Sequence, residues 1–544
     1  MDRRAEPPHD GAMTTPDAPS SPLAVPAFRA MWLATLVANF GYMIQSVGAS
    51  WMMTALDGSA QMIALVQTAM SLPIMLFSLW AGALADNRDR RKVMVAAQAA
   101  MLIVSATLAL GAWLDLLGPW SLLAFTFLLG AAAAVNNPAW QASVGDIVPR
   151  ALTARAVMLN GMSFNIARSF GPALGGAVVA AGGAAAAFLV NAVSYVGLIV
   201  VLARWRPEIA PRRLPPEPLG VAMAAGVRYV RMSPHILVVL RRVMMFSFAA
   251  AAAQAVLPLV ARDLIGGGPI TYGVLLGGFG VGAVAGALAA VHARRLSADR
   301  AVRLASLAVA VGLAGTGASR SLALTLSCLA LAGAGWVVAW STFNVGIQLA
   351  SPRWVVARAL ALYQMTAFGG IAAGSWAFGA LAERYGVTAA LEIAAAVELA
   401  GVLLGLRRPL PDPGGANLDP HDFREPQTAL PIRPHSGPIV VSIEHRVPPA
   451  NVGAFLAAMA ERRRIRLRDG ARDWRLLRDL AEPAVWIERY QAPTWIDYLR
   501  HNERRTHADD VHLETIRALR EPGYEPVVRR LIERQTGAAH HGEP

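Results

Sequence analysis

Gly82-Ala83-Leu84-Ala85-Asp86-Asn87-Arg88-Asp89-Arg90-Arg91-Lys92 is the stretch that orders the rest of this chain. Its first four residues return as Gly286-Ala287-Leu288-Ala289, 286 − 82 = 204 positions later. Each copy is followed by an arginine pair, Arg90-Arg91 and Arg294-Arg295. A second pattern, Pro149-Arg150 with Ala154-Arg155-Ala156, returns as Pro352-Arg353 with Ala357-Arg358-Ala359, 352 − 149 = 203 positions later. Alanine is common here, so either match alone carries little weight; the shared offset gives them meaning. The chain holds two similar halves, and a membrane body built of repeats places its site where the repeats meet.

The background is apolar. Of 544 residues, 55% are hydrophobic and 16% are charged, against about 25% charged in soluble domains. Twelve apolar segments run near 29–55, 61–84, 93–115, 119–141, 156–181, 184–204, 237–261, 270–291, 301–318, 321–348, 356–381 and 386–406. Most match the ~20 residues that a bilayer crossing needs. The predicted fold is an all-α membrane protein with twelve transmembrane helices in two six-helix halves, plus a small C-terminal ferredoxin-like α+β domain. The predicted divisions are a disordered tail at 1–27, the first half at 28–204, a central loop at 205–236, the second half at 237–406, a linker at 407–436, a soluble domain at 437–536 and a tail at 537–544.

Arginine is distributed unevenly. One set of loops carries Arg88, Arg90, Arg91, Lys92, Arg150, Arg155, Arg294, Arg295, Arg300, Arg303, Arg353 and Arg358. The central loop adds Arg206, Arg212, Arg213, Arg228 and Arg231, while the opposite loops hold Arg262, Arg320 and Arg384. The positive-inside rule puts the basic loops, both termini and the C-terminal domain in the cytoplasm. Topology thereby accounts for the net charge of +13, and no nucleic-acid partner is expected. Abundant alanine, with arginine in place of lysine, suggests a bacterial chain, hence the inner membrane. Cys328 is the sole cysteine, so no intrachain disulfide can form. The first 25 residues lack the order of a cleaved signal.

Beyond residue 438 the pattern changes. Residues 439–447 alternate like a strand and 449–468 read as a helix with an arginine-rich exposed end. Residues 474–478 and 484–490 read as strands, 494–519 as one amphipathic helix, and 524–532 as a last strand. The order β-α-β-β-α-β is that of a ferredoxin-like fold. His501, His507 and His512 share the last helix, but spacings of six and five do not stack them on a face. No metal site is expected from them, and no cofactor. A Gly-Lys-Ser/Thr phosphate loop is not present in the sequence.

The opening stretch resembles the loop 2–3 signature of the major facilitator superfamily, through Gly82, Leu84, Asp86, Arg90 and Arg91. Asp89 stands where a glycine is usual, and Asn87 where a basic residue is usual. The resemblance implies a cytoplasmic brace between the halves, with Asp86 facing the positive end of the eleventh helix. The fifth segment carries Gly171-Pro172-Ala173-Leu174-Gly175-Gly176, similar to the glycine-proline signature of exporters in that superfamily. Asn137-Pro138-Ala139, Val148-Pro149-Arg150, Asn165 with Arg168, and Leu257-Pro258-Leu259 resemble the branch that contains the enterobactin exporter. Some members of that branch have soluble C-terminal extensions.

The resemblance implies a secondary active exporter with no enzymatic activity. It would drive a siderophore or drug-like amphiphile outward by alternating access, with the proton as coupling ion. Candidate contacts for this small-molecule partner are Asn39, Gln45, Asn136, Asn137, Arg168, Trp336, Trp340 and Gln364, with Tyr42, Asn344 and Tyr363 among the other polar and aromatic residues of the expected cavity. A charge inside the bilayer is costly and marks a functional candidate, which singles out Arg168. Glu398 can carry a proton, but the resemblance places its helix at the periphery and implies a structural role. Arg241 and Arg242 are expected to snorkel to the headgroups. The C-terminal domain is expected to regulate or to dimerise. The open alternatives are metabolite uptake, or a membrane-anchored sensor or enzyme whose activity lies in that domain.

Overall fold

The computed structural model describes residues 21–149, 152–206, 219–293, 296–352, 354–407, 409–410, 417–418, 421, 423 and 425–533. The side chains of Asp86, Asn87, Ala142, Gly145, Ala154, Leu219 and residues 290–293 lie outside that set. So do Arg150, Arg212, Arg213, Arg294, Arg295, Arg353, the two predicted tails up to 20 and from 534, and part of the predicted linker.

The first half is built from α1 (Pro26–Leu56), α2 (Ala60–Asn87), α3 (Arg90–Trp113), α4 (Pro119–Ile147) and α5 (Thr153–Arg204). The chain breaks between α2 and α3 because Arg88 is extended and Asp89 caps α3, accepting from the Arg91 amide at 3.0 Å. That capping role accounts for the aspartate where a glycine is usual. α5 has 52 residues, about 78 Å of helix, far more than the ~30 Å hydrocarbon core. It is two crossings joined at Gly183, whose φ of 71° is a conformation that side chains disfavour. α1 records the reversal. Its Gly41 faces Ser194 and its Gly48 faces Ala187, while its Met43 faces Gly171 and its Val47 faces Gly175. One leg of α5 therefore runs parallel to α1 and the other antiparallel.

The connector α6 (Leu219–Arg231) leads to α7 (Pro234–Ala250), α8 (Ala252–Ala255) and α9 (Leu257–Leu259). With the π turn Val260–Leu264 these make one broken crossing, Pro234–Leu264. α10 (Pro269–Ala293), α11 (Ala298–Ala318), α12 (Leu322–Leu349), α13 (Val356–Tyr385) and α14 (Val387–Arg407) complete the second half. Among the described residues, eleven helical stretches are long and apolar enough to span a bilayer; the break in α5 brings these crossings to twelve.

The C-terminal domain contains β1 (Ile439–Arg446), α15 (Val452–Asp469), β2 (Arg472–Arg478), β3 (Val485–Ala492), α16 (Trp495–Glu503), α17 (His507–Ala518) and β4 (Val528–Ile532). The sheet order is β2-β3-β1-β4, antiparallel throughout, with Val441 opposite Tyr490 and Arg530. This is the ferredoxin-like arrangement. The single helix predicted at 494–519 is two helices. Thr506 and Asp509 form a capping box that starts α17 afresh. The arginine-rich end of α15 is not uniformly exposed either. Arg462, Arg466 and Arg468 are buried, because Glu488 and the Asp469–Asp509 pair lie within the domain to receive them.

Candidate binding site between the halves

Among the described residues, several hydrogen bonds cross between the halves toward the end of the bundle away from the C-terminal domain. The Ala60 amide donates to Glu383 Oε2 at 2.5 Å, and Arg262 Nη1 to the Gly58 carbonyl at 3.1 Å. Thr68 Oγ1 donates to the Ala372 carbonyl at 3.1 Å, and Ser169 Oγ to the Gly280 carbonyl at 3.1 Å. Trp51 stacks on Tyr272 with centroids 6.4 Å apart. Close backbone approach makes this seal. A Cβ on Gly176 would meet the Pro269 carbonyl oxygen at 2.6 Å, and one on Gly273 would meet that of Pro172 at 2.5 Å. The glycine-proline segment thus serves two contacts. Gly171 and Gly175 face α1, while Gly176 faces α10.

Arg168 lies one residue before Ser169, on the domain side of this seal. It reaches from the first half onto aromatic rings of the second. Its guanidinium carbon is 5.3 Å from the Phe279 centroid and 5.8 Å from that of Trp336. Among the described residues it has no carboxylate partner. Trp336 stacks on Trp340 at 5.4 Å, and Trp340 meets Tyr363 and Phe368 edge-on. Phe246 and Phe343 pack behind. The result is a half-buried cation in front of a wall of π faces, each of which attracts positive charge.

The other candidates separate. The Gln364 Oε1 atom is buried without a hydrogen-bond partner in the described structure, so it retains a polar valence to offer. Asn39 Nδ2 bonds Ser163 at 3.4 Å and Asn136 accepts from Gln98 at 3.2 Å, both within the first half. Asn137 is exposed. Gln45 is buried, and its Oε1 accepts from Ser105 at 3.0 Å and from Asn191. The expected contact role does not fit Gln45, since its acceptor is spent on a cluster inside one half. Tyr363 donates to the Trp340 carbonyl at 3.2 Å and holds that ring.

The basic cluster of the opening stretch makes its described bonds within the first half. Arg90 pairs with Asp146 at 2.7 Å, and Arg91 Nε donates to the Leu202 carbonyl at 2.9 Å. The Asp86 side chain, the centre of the expected brace, lies outside the described set. Arg242 does not snorkel as expected. It is largely buried 3.6 Å from Asp299, which Arg303 meets at 3.0 Å. Glu398 is buried on α14 near it. Burial beside carboxylates keeps Arg242 inward, because a paired charge costs less than an isolated one.

Sequence reading missed a second cluster, in the C-terminal domain. Glu488 is 1% exposed and receives Arg466 Nε and Trp474 Nε1, each at 3.1 Å. Arg520 Nε donates to His445 Nδ1 at 3.0 Å, and Arg466 lies 3.0 Å from His501 Nε2. Burial alone would raise the Glu488 carboxyl, but Arg466 and Arg462 hold it well below the usual range. Arginines spaced four apart on a helix read as a solvated face, and only the fold brings Glu488 beneath them.

A family model described as transmembrane secretion effector matches residues 17–536. The staphyloferrin A transporter of Staphylococcus aureus is 30% identical over 28% of this chain and 39% of its own length. The multidrug efflux pump Tap of Mycobacterium tuberculosis is 28% identical over 38% of this chain and 51% of its own. Macrolide efflux protein A of Streptococcus pyogenes is 21% identical over 48% and 65%. The matched stretch is therefore under two thirds of each of these relatives. A bacterial homologue of the lysosomal transporter Spinster, crystallised inward-facing, superposes with a TM-score of 0.55 at 13% identity over 72% of this chain and 96% of that one. The POT family transporter PepTSo gives 0.57 at 14% identity over 72% and 98%. With its two repeated halves and the family match along most of its length, the chain belongs to the transmembrane secretion effectors of the major facilitator superfamily.

Proposed function

We propose that this protein is a secondary active exporter of a bulky amphiphile, working by alternating access and driven by proton entry. The observation that carries this reading is the Arg168–aromatic site just inside a seal closed at one end of the bundle. A seal of hydrogen bonds and close backbone contacts beside the site is what alternation between two openings would make and break. The guanidinium suits an acidic group on the solute, and the Trp336–Trp340 wall suits its apolar or aromatic body. Siderophores and drug-like organic acids combine both. The efflux and siderophore-transport relatives and the glycine-proline segment favour the outward direction.

The membrane orientation follows from charge. The C-terminal domain sits at the end that carries Arg90, Arg228 and Arg358, and positive-inside topology makes that end cytoplasmic. The sealed end of the bundle then faces away from the cytoplasm. Proteoliposomes with an imposed pH gradient, assayed with a panel of siderophores and amphiphilic dyes, test the proposal. We expect solute to move against the proton flux and to stop when the gradient is collapsed. Solute moving with the protons would favour uptake, and movement indifferent to the gradient would remove the coupling.

A further inference from the structure

We propose that His421, His507 and Asp510 form a divalent transition-metal site that clips the linker to the C-terminal domain. His507 and Asp510 lie on the first turn of α17, three positions apart and so on one side of the helix. His421 comes from the linker, 507 − 421 = 86 residues earlier. Its Nδ1 is 2.8 Å from Asp510 Oδ2, and the Nδ1 of His507 is 3.6 Å from the same oxygen. The three ligand atoms all fall within 4.8 Å of one another. Ligands held at ~2.0–2.2 Å around a tetrahedral zinc ion stand about 3.3 Å apart, between the two measured separations.

The character of the contacts points the same way. The Nδ1 of His421 is buried and makes no hydrogen bond, although a carboxylate oxygen lies 2.8 Å away. A nitrogen so close to an oxygen, yet not aligned to donate to it, is placed as two ligands of a common third atom are placed. The His421 and His507 rings meet at 71° rather than stacking. Asp510 is oriented from behind. Arg505 Nε donates to Oδ1 at 2.7 Å, which leaves Oδ2 for the two imidazoles. Such outer contacts fix a metal-binding carboxylate. Arg505 also lends a positive charge, which weakens cation binding relative to the same ligands without it.

The surroundings show what the clip would hold. The His421 amide donates to the Arg505 carbonyl and the Ala508 amide to the Asn417 carbonyl, both at 2.9 Å. The linker therefore already lies against the α16–α17 junction. Farther back, the Leu410 amide donates to Asp299 of the membrane body at 3.0 Å. A bound metal fixes the length of tether between the last membrane helix and the domain. Two imidazoles and one carboxylate suit zinc, cobalt or nickel, with water completing the shell.

The test uses the full-length protein in detergent, carrying His540→Ala and His541→Ala to remove a histidine pair near the C-terminus. After EDTA treatment it is titrated with cobalt(II), read by visible absorption, and with zinc(II), read by calorimetry. We expect one cobalt with the intense bands of tetrahedral coordination. His421→Ala and His507→Ala should each weaken zinc binding by about tenfold or more, while His435→Ala, elsewhere in the linker, should leave it unchanged. Zinc should slow proteolytic cleavage within 411–436, and His421→Ala should abolish that protection. His421 lies outside every helix and strand of the domain, so its loss should leave the fold intact, which the circular dichroism spectrum checks. Equal zinc affinity in the His421→Ala protein, or the absence of a tetrahedral cobalt spectrum, overturns the proposal.

Discussion

At the scale of the residue, Arg168 shows why an intramembrane charge is informative. The sequence placed a cation inside a helix with no acid nearby. The fold surrounded it with Phe279 and Trp336 and left its charge unneutralised among the described residues. Cation–π contacts of this kind supply about 0.5–2 kcal/mol, enough to hold the side chain without satisfying it. We predict that Arg168→Ala lowers transport of an acidic amphiphile about tenfold, with Arg168→Lys intermediate, at unchanged membrane abundance. Initial rates in proteoliposomes check this, and wild-type rates for Arg168→Ala would remove the residue from the site. His501 gives a prediction at the same scale. Burial first, and the adjacent Arg466 second, hold its imidazole well below the ordinary 6.5. It is neutral when folded and takes up a proton on unfolding, so its stabilisation is complete above about pH 6.5 and declines as pH falls from there towards the folded value. His445, also lowered, acts in the same direction. Amide protection factors over 439–533 in the full chain, corrected for the slower intrinsic exchange at lower pH, should fall between pH 6.5 and pH 5, and His501→Gln should flatten the dependence.

At the scale of the element, the two halves use the same repeat for different ends. A Cβ on Gly286 would come within 2.4 Å of the Ala334 carbonyl, whereas one on Gly82 would meet nothing within 4 Å. The second copy is a packing seam between α10 and α12; the first leads into a loop whose arginines tie α3 to α4 and to the end of α5. We predict that Asp86→Asn lowers transport while the protein still reaches the membrane, since the loop has no second acid at the equivalent position, where Ala290 stands. Full transport by that variant would argue that the loop serves topology alone. The seal between α2 and α13 should also be movable. In a Cys328→Ser background, Thr68→Cys with Ala372→Cys should form a disulfide on mild oxidation, since the Thr68 side chain already reaches the Ala372 backbone carbonyl. The oxidised protein should bind solute but not transport it, and dithiothreitol should restore transport. Transport that persists when the bond is formed would mean that this seam does not open.

At the scale of the whole molecule, the C-terminal domain rests on the junction of the two halves. Arg468 lies 5.2 Å from the Tyr229 ring of α6, and Arg504 lies 4.4 Å from the ring of Trp354, just before α13. Tyr229 and Trp354 themselves meet edge-on at 5.4 Å. The Arg228 Nε donates to the Arg468 carbonyl at 3.4 Å, and Arg464 to that of Met232. These contacts are polar and peripheral to the bundle. We predict that a chain ending at residue 436 stays folded and monodisperse in detergent, with an altered transport rate. Aggregation of that chain would make the domain part of the membrane body's packing.

Membrane character, the repeat, and the six-plus-six division were legible in the sequence, because they depend on composition, segment length and offset, all local or additive. The ferredoxin-like order was legible for the same reason, from alternation and helical periodicity. Other features depend on which side chains meet across long separations. Gln45 reads as a cavity amide until Asn191 and Ser105 are seen to take its acceptor. Arg462 and Arg466 read as solvated until Glu488 lies beneath them. His501, His507 and His512 fail as a metal set by their spacing, yet His507 gains His421 from the linker. Sequence by itself determined the elements and the class of machine they build. Tertiary structure alone decided which polar groups are satisfied and which are left free to act, because desolvation and pairing are properties of a place in the fold and not of a residue type.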